Sequence, residues 1–389
     1  MFNVILTGLT SFLVDISTEM FYPLLSLYIV ALGGGPQIIG LIEGIAESLA
    51  SLLKVFSGNL SDIIKKRKPL AIFGYSFSVI GKIFMYFAQS WGGVFLGRVI
   101  DRIGKGIRTA PRDALIAESV NERRGRAFGI HRTMDTLGAF FGVLISLYLI
   151  KRFELLSIEK GANIVANYLP IFRYIILFSI IPGILGVFIL FFVKETAKGL
   201  PLGKKLILNL KIIPKKLKGF LLITLIFTFG NSSNQFLLLK AKSIGFSIIS
   251  VLSLYLVYNI TYALFSYPLG RLSDKIGRKW IIVIGYLIYG IVYLSYAFAK
   301  STLLIYILFS IYGLYSAFTE GVEKALVADI SPDEIKGSLI GLHATLVGIG
   351  LFPASLIGGL LWQFISPQAT FIFGGIMGII ASIGMFLVL

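Results

Sequence analysis

Acidic side chains recur at helical spacing inside the first two apolar stretches of the sequence, where lipid would surround them. Asp15 and Glu19 are four residues apart, so they share one face of a helix. Glu43 and Glu47 have the same spacing in the next stretch, and Asp135 lies in the fifth. Each such charge costs roughly 3 kcal/mol to insert, so these groups are expected to line a wet cavity or to have partners. They could bind a proton on one side of a membrane and release it on the other.

The fourth apolar stretch carries a polar seam at helical spacing. Its members are Arg98, Asp101, Arg102, Lys105, Arg108 and Arg112. A seam of this length cannot face lipid, so it is expected to line a wet cavity or to pair with the acids of the first two stretches. The structural interpretation is that ion pairs hold the helices together, while the outer long side chains reach water at the rim.

The functional interpretation assigns proton coupling to part of this set. The candidates are Asp15, Glu19, Glu43, Glu47, Arg98, Asp101 and Asp135. Glu19, Glu43 and Asp135 are the preferred proton carriers. Arg98 is the expected basic partner, whose attraction for a carboxylate is exchanged when that carboxylate binds a proton.

Polar and aromatic side chains in the middle of several stretches are candidates for substrate contact. They are Tyr22, Arg102, Asn231, Asn234, Gln235, Tyr312 and Glu320. The densest group is "GNSSNQF" at 230–236, which places donors and acceptors in an otherwise apolar predicted helix. Its alternative role is to hydrogen-bond neighbouring helices together, and the alternative role of the tyrosines is plain packing.

Composition places the chain in a membrane. Its mean hydropathy is +0.88, with 56% hydrophobic and 14% charged residues, which lies outside the range of soluble globular domains. With no cysteine and two histidines, neither a metal centre nor another cofactor is expected. A net charge of +17 would suggest nucleic acid in a soluble protein. In a membrane protein it instead indicates which loops are cytoplasmic, so no nucleic-acid partner is expected.

Twelve spanning helices are predicted, because a span needs roughly 20 mostly apolar residues. The predicted spans are 4–32, 38–60, 69–90, 92–112, 126–150, 168–193, 219–242, 247–269, 279–299, 301–325, 337–362 and 366–389. The loops richest in Lys and Arg, including 194–218, all fall on one side of this topology. That side and both termini are therefore expected to be cytoplasmic, in a multi-pass protein of the inner or plasma membrane.

Short motifs recur at half the chain length. "GNLSD" at 58–62 returns as "GRLSD" at 270–274, and "ALIAES" at 114–119 returns as "ALVADI" at 325–330. "GIH" at 129–131 also returns as "GLH" at 341–343. The repeats predict an all-α membrane protein of two pseudo-symmetric six-helix bundles, 1–193 and 219–389, joined by the lysine-rich linker 194–218.

The loop motifs resemble the signature of the major facilitator superfamily, Gly-x-Leu-(Ala/Ser)-Asp-x-x-Gly-Arg-(Lys/Arg). The corresponding residues are Gly58, Asp62, Lys66, Arg67, Gly270, Asp274, Gly277 and Arg278. The second copy fits fully, whereas Lys65 takes the glycine position of the first. The resemblance implies a cytoplasmic gate, in which each aspartate accepts hydrogen bonds from a helix start on the opposite half. Gly58 and Gly270 are expected to allow close helix approach.

Two signatures of proton-linked drug exporters are met in part. Arg98, Gly104 and Gly106 match the span-four signature, while Gly138 and Gly142 match the span-five signature without its proline. The resemblance therefore implies a monomeric secondary transporter that works by alternating access and exports a small organic molecule with proton coupling. An uncoupled facilitator or importer of an organic anion is the alternative. A membrane enzyme is disfavoured, because the sequence offers no catalytic triad, metal cluster or phosphate loop.

Overall fold

The computed structural model describes residues 2–64, 66–120, 124–157, 165–195, 213–332 and 336–389, with backbone alone at 62, 124–125, 155–157 and 336–338. Its described residues form no strand. The helices are α1 Phe2–Glu19, α2 Leu25–Ala31, α3 Pro36–Ile64, α4 Lys68–Phe87, α5 Trp91–Glu118, α6 Arg124–Ser157, α7 Leu169–Leu190, α8 Lys215–Gly230, α9 Gln235–Ser243, α10 Ile248–Ile276, α11 Arg278–Phe298, α12 Thr302–Ile330, α13 Lys336–Phe364 and α14 Pro367–Val388. The predicted all-α fold is confirmed.

Ten helical segments of the described chain are long and apolar enough to cross a membrane, when α1 with α2 and α8 with α9 each count as one segment. The other two long helices, α3 and α5, lie where the second and fourth spans were predicted. These two helices are not apolar enough to be counted as spans, because α3 carries Glu43 and Glu47 and α5 carries the polar seam. The chain is therefore a multi-pass membrane protein whose charged helices must find partners inside it.

The first and seventh predicted spans are interrupted helices. A 3₁₀ turn, Tyr22–Leu24, separates α1 from α2. Pro23 has no N–H to donate there, which prevents a continuous ladder of hydrogen bonds. The residues 231–234 separate α8 from α9, so the prediction of an unbroken helix through "GNSSNQF" was wrong. Asn and Ser side chains compete with the backbone for hydrogen bonds and favour such breaks.

Residue contacts divide the chain into two compact units. The first comprises 1–35, 45–203 and 248–252, and the second comprises 36–44, 204–247 and 253–389. In the first unit α1 packs on α6 and α7, and α4 packs on α5 and α7. In the second unit α11 packs on α12 and α14, and α8 packs on α13 and α14.

Glycines bring α4 and α5 into backbone contact. A Cβ atom on Gly97 would lie 2.6 Å from the carbonyl oxygen of Gly81, and one on Gly74 would lie 2.6 Å from that of Gly104. Small residues at such crossings let membrane helices approach closely. This contact holds the polar seam of α5 directly against α4.

Candidate functional site

Four charged side chains of α3 and α5 form a closed ring in the first unit. Arg98 lies 3.3 Å from Glu47 Oε1 and 3.4 Å from Asp101 Oδ2. Arg102 lies 3.1 Å from each of the same two oxygens. Two positive and two negative charges therefore share one site, and we call these four residues the charge ring. The predicted pairing of the seam with acids is present, and Glu47 supplies it from α3.

Two further cations flank the charge ring without closing ion pairs. Lys82 of α4 is 3% exposed and Arg108 of α5 is 8% exposed. The ammonium of Lys82 lies 3.4 Å from Thr18 Oγ1. Arg108 donates to Ser78 Oγ at 2.7 Å, and its guanidinium lies 4.2 Å from the ring centre of Tyr75. Within the described part of the chain, no carboxylate oxygen lies within 4.0 Å of a cationic nitrogen of either residue.

A narrow cleft opens beside these groups, at the break between α1 and α2. It is lined by Thr18, Phe21, Tyr22, Leu25, Lys82, Met85, Arg98 and Asp101. The guanidinium of Arg98 lies 5.1 Å from the ring centre of Tyr22, as a cation–π contact. Three predicted residues, Tyr22, Arg98 and Asp101, thus border one cleft with Lys82. Lys82 lies within the third predicted span, but sequence reasoning gave it no role.

Asp135 belongs to a second polar cluster in the first unit. Its Oδ2 lies 3.5 Å from Nδ1 of His131, whose Nε2 lies 2.8 Å from Ser11 Oγ. Ser11 Oγ in turn lies 3.2 Å from the hydroxyl of Tyr75 and accepts from Arg112 at 3.4 Å. The chain of contacts joins a carboxylate, an imidazole and two hydroxyl groups, which can pass a proton between them.

The two predicted acids of α1 lie one turn apart near the end of that helix. Asp15 and Glu19 are half-buried, and Glu19 is the last residue of α1.

The second unit repeats the histidine cluster with a different acid. His343 Nε2 lies 3.3 Å from Oε2 of Glu323, and Tyr286 donates to Oε1 of Glu323 at 2.9 Å. His343 follows His131 by 212 residues, as the repeat predicted. Sequence reasoning did not select Glu323, although its place among the intramembrane charges was a usable signal.

The predicted polar group of the seventh span forms hydrogen bonds at the break between α8 and α9. Asn231 donates to the hydroxyl of Tyr315 at 3.2 Å, and Tyr312 donates to Asn234 Oδ1 at 2.7 Å. Gln235 is fully buried at the start of α9. Four of the predicted substrate residues, Asn231, Asn234, Gln235 and Tyr312, therefore lie at this break or directly beside it.

Two other predicted acids have hydroxyl partners in the second unit. Ser233 donates to Oε2 of the fully buried Glu43 at 3.3 Å. Tyr262 donates to Oε2 of the exposed Glu320 at 2.6 Å.

The two loop motifs build the same local contact. Arg67 donates to both carboxylate oxygens of Glu118, at 2.9 and 2.7 Å, and lies 3.4 Å from Ser61 Oγ. Arg278 pairs with Asp329 and lies 3.4 Å from Ser273 Oγ. The acid follows the arginine by 51 residues in both copies. These acids belong to the repeated motifs "ALIAES" and "ALVADI", to which sequence reasoning had assigned no role.

Other residues of the loop motifs are less uniform. Gly277 has φ +93° and begins the turn into α11, as expected of its glycine. Asp274 lies 3.1 Å from Arg278 and Lys66 is exposed. A Cβ atom on Gly58 would meet Ala110, but one on Gly270 would meet nothing within 4 Å. Close helix approach at Gly270 is therefore not observed. The side chain of Asp62 and all of Lys65 lie outside the described residues.

Comparison with known proteins assigns the family. The sequence family described as the Major Facilitator Superfamily matches residues 7–252 and 220–389. The chain belongs to the Major Facilitator Superfamily. An uncharacterized MFS-type transporter of Methanocaldococcus jannaschii is 41% identical over 389 residues, covering 98% of this chain and 93% of the relative.

More distant MFS proteins also align along most of the chain. A multi-drug resistance efflux pump PmrA homolog of Lactococcus lactis is 24% identical over 384 residues, covering 95% of this chain and 90% of the pump. The crystal structure of a bacterial homolog of the human lysosomal transporter Spinster, inward-facing and occupied, superposes with a TM-score of 0.79. It is 15% identical and covers 99% of this chain and 96% of that one. The superposition shows that the MFS fold is shared.

Proposed function

We propose that this MFS chain is a secondary active transporter that works by alternating access and couples proton movement to the export of a small organic molecule. The observation that carries the proposal is the contact between Asp135 and His131 inside a spanning helix, 3.5 Å apart and connected to Ser11. Such intramembrane ionisable pairs mark proton relays. Export is supported by the alignment with a multi-drug efflux pump.

In this proposal Asp135 holds the coupling proton. Protonation of its carboxylate removes a negative charge beside the imidazole of His131 and weakens their attraction. α6 is then released from one of its polar contacts with α1, which bears Ser11. Glu19 and Glu43 are the other proton carriers proposed. Arg98 is the basic partner that attracts a carboxylate as long as that carboxylate is unprotonated.

The surroundings of the protein follow from the same proposal. The transporter works as a monomer in the inner or plasma membrane, with both termini in the cytoplasm, because the lysine- and arginine-rich loops fall on that side. Its halves are the predicted bundles 1–193 and 219–389. Arg67 and Arg278 brace the loop motifs of its cytoplasmic gate.

A second function, uncoupled transport of an organic anion, is favoured by one observation. Lys82 and Arg108 are buried without a carboxylate in ion-pairing distance among the described residues. An anionic substrate would complement them without any proton. This candidate differs from the first in its prediction for proton flux.

Proton flux in reconstituted vesicles separates the two candidates. Purified protein is placed in vesicles with a pH-sensitive dye inside, and ethidium or benzoate is added as a probe of organic cations or anions. The coupled transporter changes the internal pH as the probe moves, whereas an uncoupled carrier moves the probe alone. Asp135→Asn is expected to abolish gradient-driven transport, since its amide cannot bind and release a proton.

Glu154→Gln is the matched control, because Glu154 is also an acid of α6 and accepts from Tyr168 at 2.9 Å. It should transport normally. Gradient-driven transport at the normal rate in Asp135→Asn, Glu19→Gln and Glu43→Gln alike would refute the proposed proton carriers. A transported probe without any pH change would refute coupling and favour the second function.

A further inference from the structure

We propose that Lys279, Trp280 and Phe386 form a binding site for the phosphate group of an anionic phospholipid. The site lies in the second unit, where α11 begins beside the end of α14. The inference goes beyond the proposed transport function and does not depend on it, because it concerns the lipid around the protein. We call these three residues the lysine–aromatic cluster.

The lysine–aromatic cluster brings one cation against two rings. Lys279 Nζ lies 4.9 Å from the ring centre of Phe386 and 5.8 Å from that of Trp280. The two ring centres lie 5.8 Å apart. A ring attracts an ammonium group but carries no net negative charge. The rings therefore hold the ammonium of Lys279 in place without neutralising it.

The first unit surrounds the equivalent lysine with polar groups instead. Lys68 directly follows the arginine of its loop motif, as Lys279 does, and each lies in the first turn of its helix. Lys68 Nζ donates to the carbonyl oxygen of Phe191 at 2.7 Å. The backbone N–H groups of Arg67 and Lys68 donate to Glu195 Oε2, at 3.0 Å each. An acid of the chain itself therefore supplies the anion at this helix start.

No acid takes the corresponding place in the second unit, within the part of the chain that the structure describes. Asp274 and Asp329 both pair with Arg278. Among the described residues, Lys279 Nζ has neither an ion pair within 4.0 Å nor a hydrogen bond. Lys275 adds a further exposed cation in the last turn of α10. An anion from outside the chain would complement Lys279 here.

The apolar surface beside the cluster indicates that this anion is a lipid headgroup. Trp280 and Phe386 are each 47% exposed. One helical turn further from these helix ends, Ile284 of α11 and Ile383 of α14 are also exposed. Trp and Lys at the ends of spanning helices lie at the level of the headgroups. A phospholipid can place its phosphate on Lys279 and its chains along this surface, whereas free phosphate contacts the lysine alone.

The charges favour an anionic headgroup over a zwitterionic one. Aromatic faces can bind the quaternary ammonium of choline, but Lys279 already lies over both rings. The segment 270–280 also carries four basic residues and one acid. It therefore attracts a net negative headgroup and repels the cation of choline. This end of α11 was predicted to be cytoplasmic, and the cytoplasmic leaflet carries anionic lipids.

Native mass spectrometry of the purified protein in detergent tests the inference. Titration with phosphatidylglycerol is compared with titration with phosphatidylcholine of the same chains, and inorganic phosphate is added as a competitor. We expect phosphatidylglycerol to bind at least about fivefold more tightly, because one lysine beside an anionic headgroup contributes roughly this factor. Inorganic phosphate should not displace it. This comparison uses the unmodified protein, so it does not depend on any variant folding.

Substitutions then locate the site. Lys279→Gln should weaken phosphatidylglycerol binding about fivefold, while Lys279→Arg keeps the charge and should stay within about twofold. Phe386→Leu stays apolar but removes a ring beside the ammonium, so binding should weaken about threefold. Lys68→Gln is the matched control, since Lys68 is the equivalent lysine of the first unit, and should bind as the unmodified protein does. Gel filtration shows whether each variant is folded.

Four results would overturn the inference. Two of them are equal binding of the two phospholipids and an unchanged phosphatidylglycerol affinity in folded Lys279→Gln. The third is an equal loss of affinity in Lys68→Gln, which would indicate a general response to positive charge. The fourth is displacement by inorganic phosphate, which would indicate an ion site without a lipid. The proton-flux test of the proposed function is independent of all four.

Discussion

The neutrality of the charge ring predicts the effect of Asp101→Asn. The substitution leaves Glu47 as the remaining carboxylate of the charge ring, opposite Arg98 and Arg102 and next to Lys82. The side chain of Asp101 is 6% exposed, so its loss resembles the breaking of a buried ion pair, which costs about 3 to 5 kcal/mol. Asparagine keeps the shape and one acceptor oxygen, so we expect a destabilisation near the lower limit of this range.

Thermal unfolding of the purified protein measures this change. At roughly 2 °C per kcal/mol for a large chain, Tm should fall by about 6 °C in Asp101→Asn. Lys82→Met should leave Tm unchanged or raise it, because it removes a buried cation that forms no ion pair within 4.0 Å among the described residues. The double variant should regain part of the loss, as two coupled sites do in a mutant cycle. The reasoning fails if Asp101→Asn unfolds within about 1 °C of the unmodified protein, or if Lys82→Met is the more destabilising of the two.

Two further predictions concern helix contacts. Arg67→Ala should destabilise the protein more than Arg278→Ala, because the pair with Glu118 is 10% and 15% exposed whereas that of Arg278 is 21% and 55% exposed; equal Tm losses would contradict this. Gly97→Ala should cost about 1 to 3 kcal/mol, since its Cβ would lie 2.6 Å from a carbonyl oxygen of α4. Gly129→Ala, with nothing within 4 Å, should be neutral or stabilising, and chemical unfolding that ranked the two the other way would refute the packing argument.

The helices and the family could be predicted because their signals are spread over many residues. Each span is a long apolar run, and the loops between spans collect Lys and Arg. The repeated motifs stand out because they interrupt apolar sequence with the same charges twice. Their acid partners, Glu118 and Asp329, were out of reach, because a pairing across 51 residues depends on how two helices pack.

The helix breaks escaped prediction because hydropathy averages over a window longer than the break itself. Only Pro23 and the Asn-Ser cluster of the seventh span signal the breaks, and both residue types also occur within intact membrane helices. Competition between side chains and the backbone for hydrogen bonds decides whether a helix breaks at these residues, and an averaged hydropathy does not record that competition.

The site was predicted as a set of charges but not as a set of pairs. Helical spacing places Glu43 and Glu47 on one face of α3, yet Glu47 contacts two arginines and Glu43 contacts a serine. Helical spacing determines the face of the helix on which a side chain lies, but it does not determine which residue that side chain contacts. Lys82 is visible in the sequence as a charge within α4. Its place beside the cleft depends on how α4 packs on α5 and on the turn after α1.

The glycine contacts between α4 and α5 have a mechanical consequence. Gly81 and Gly97 bring the backbones of the two helices so close that one helix cannot slide along the other without a clash of backbone atoms. The two helices are therefore expected to move together as one rigid pair. The ammonium of Lys82 on α4 and the arginines of α5 would then keep a constant separation, and the cleft could change only on the side lined by α1 and the turn that follows it.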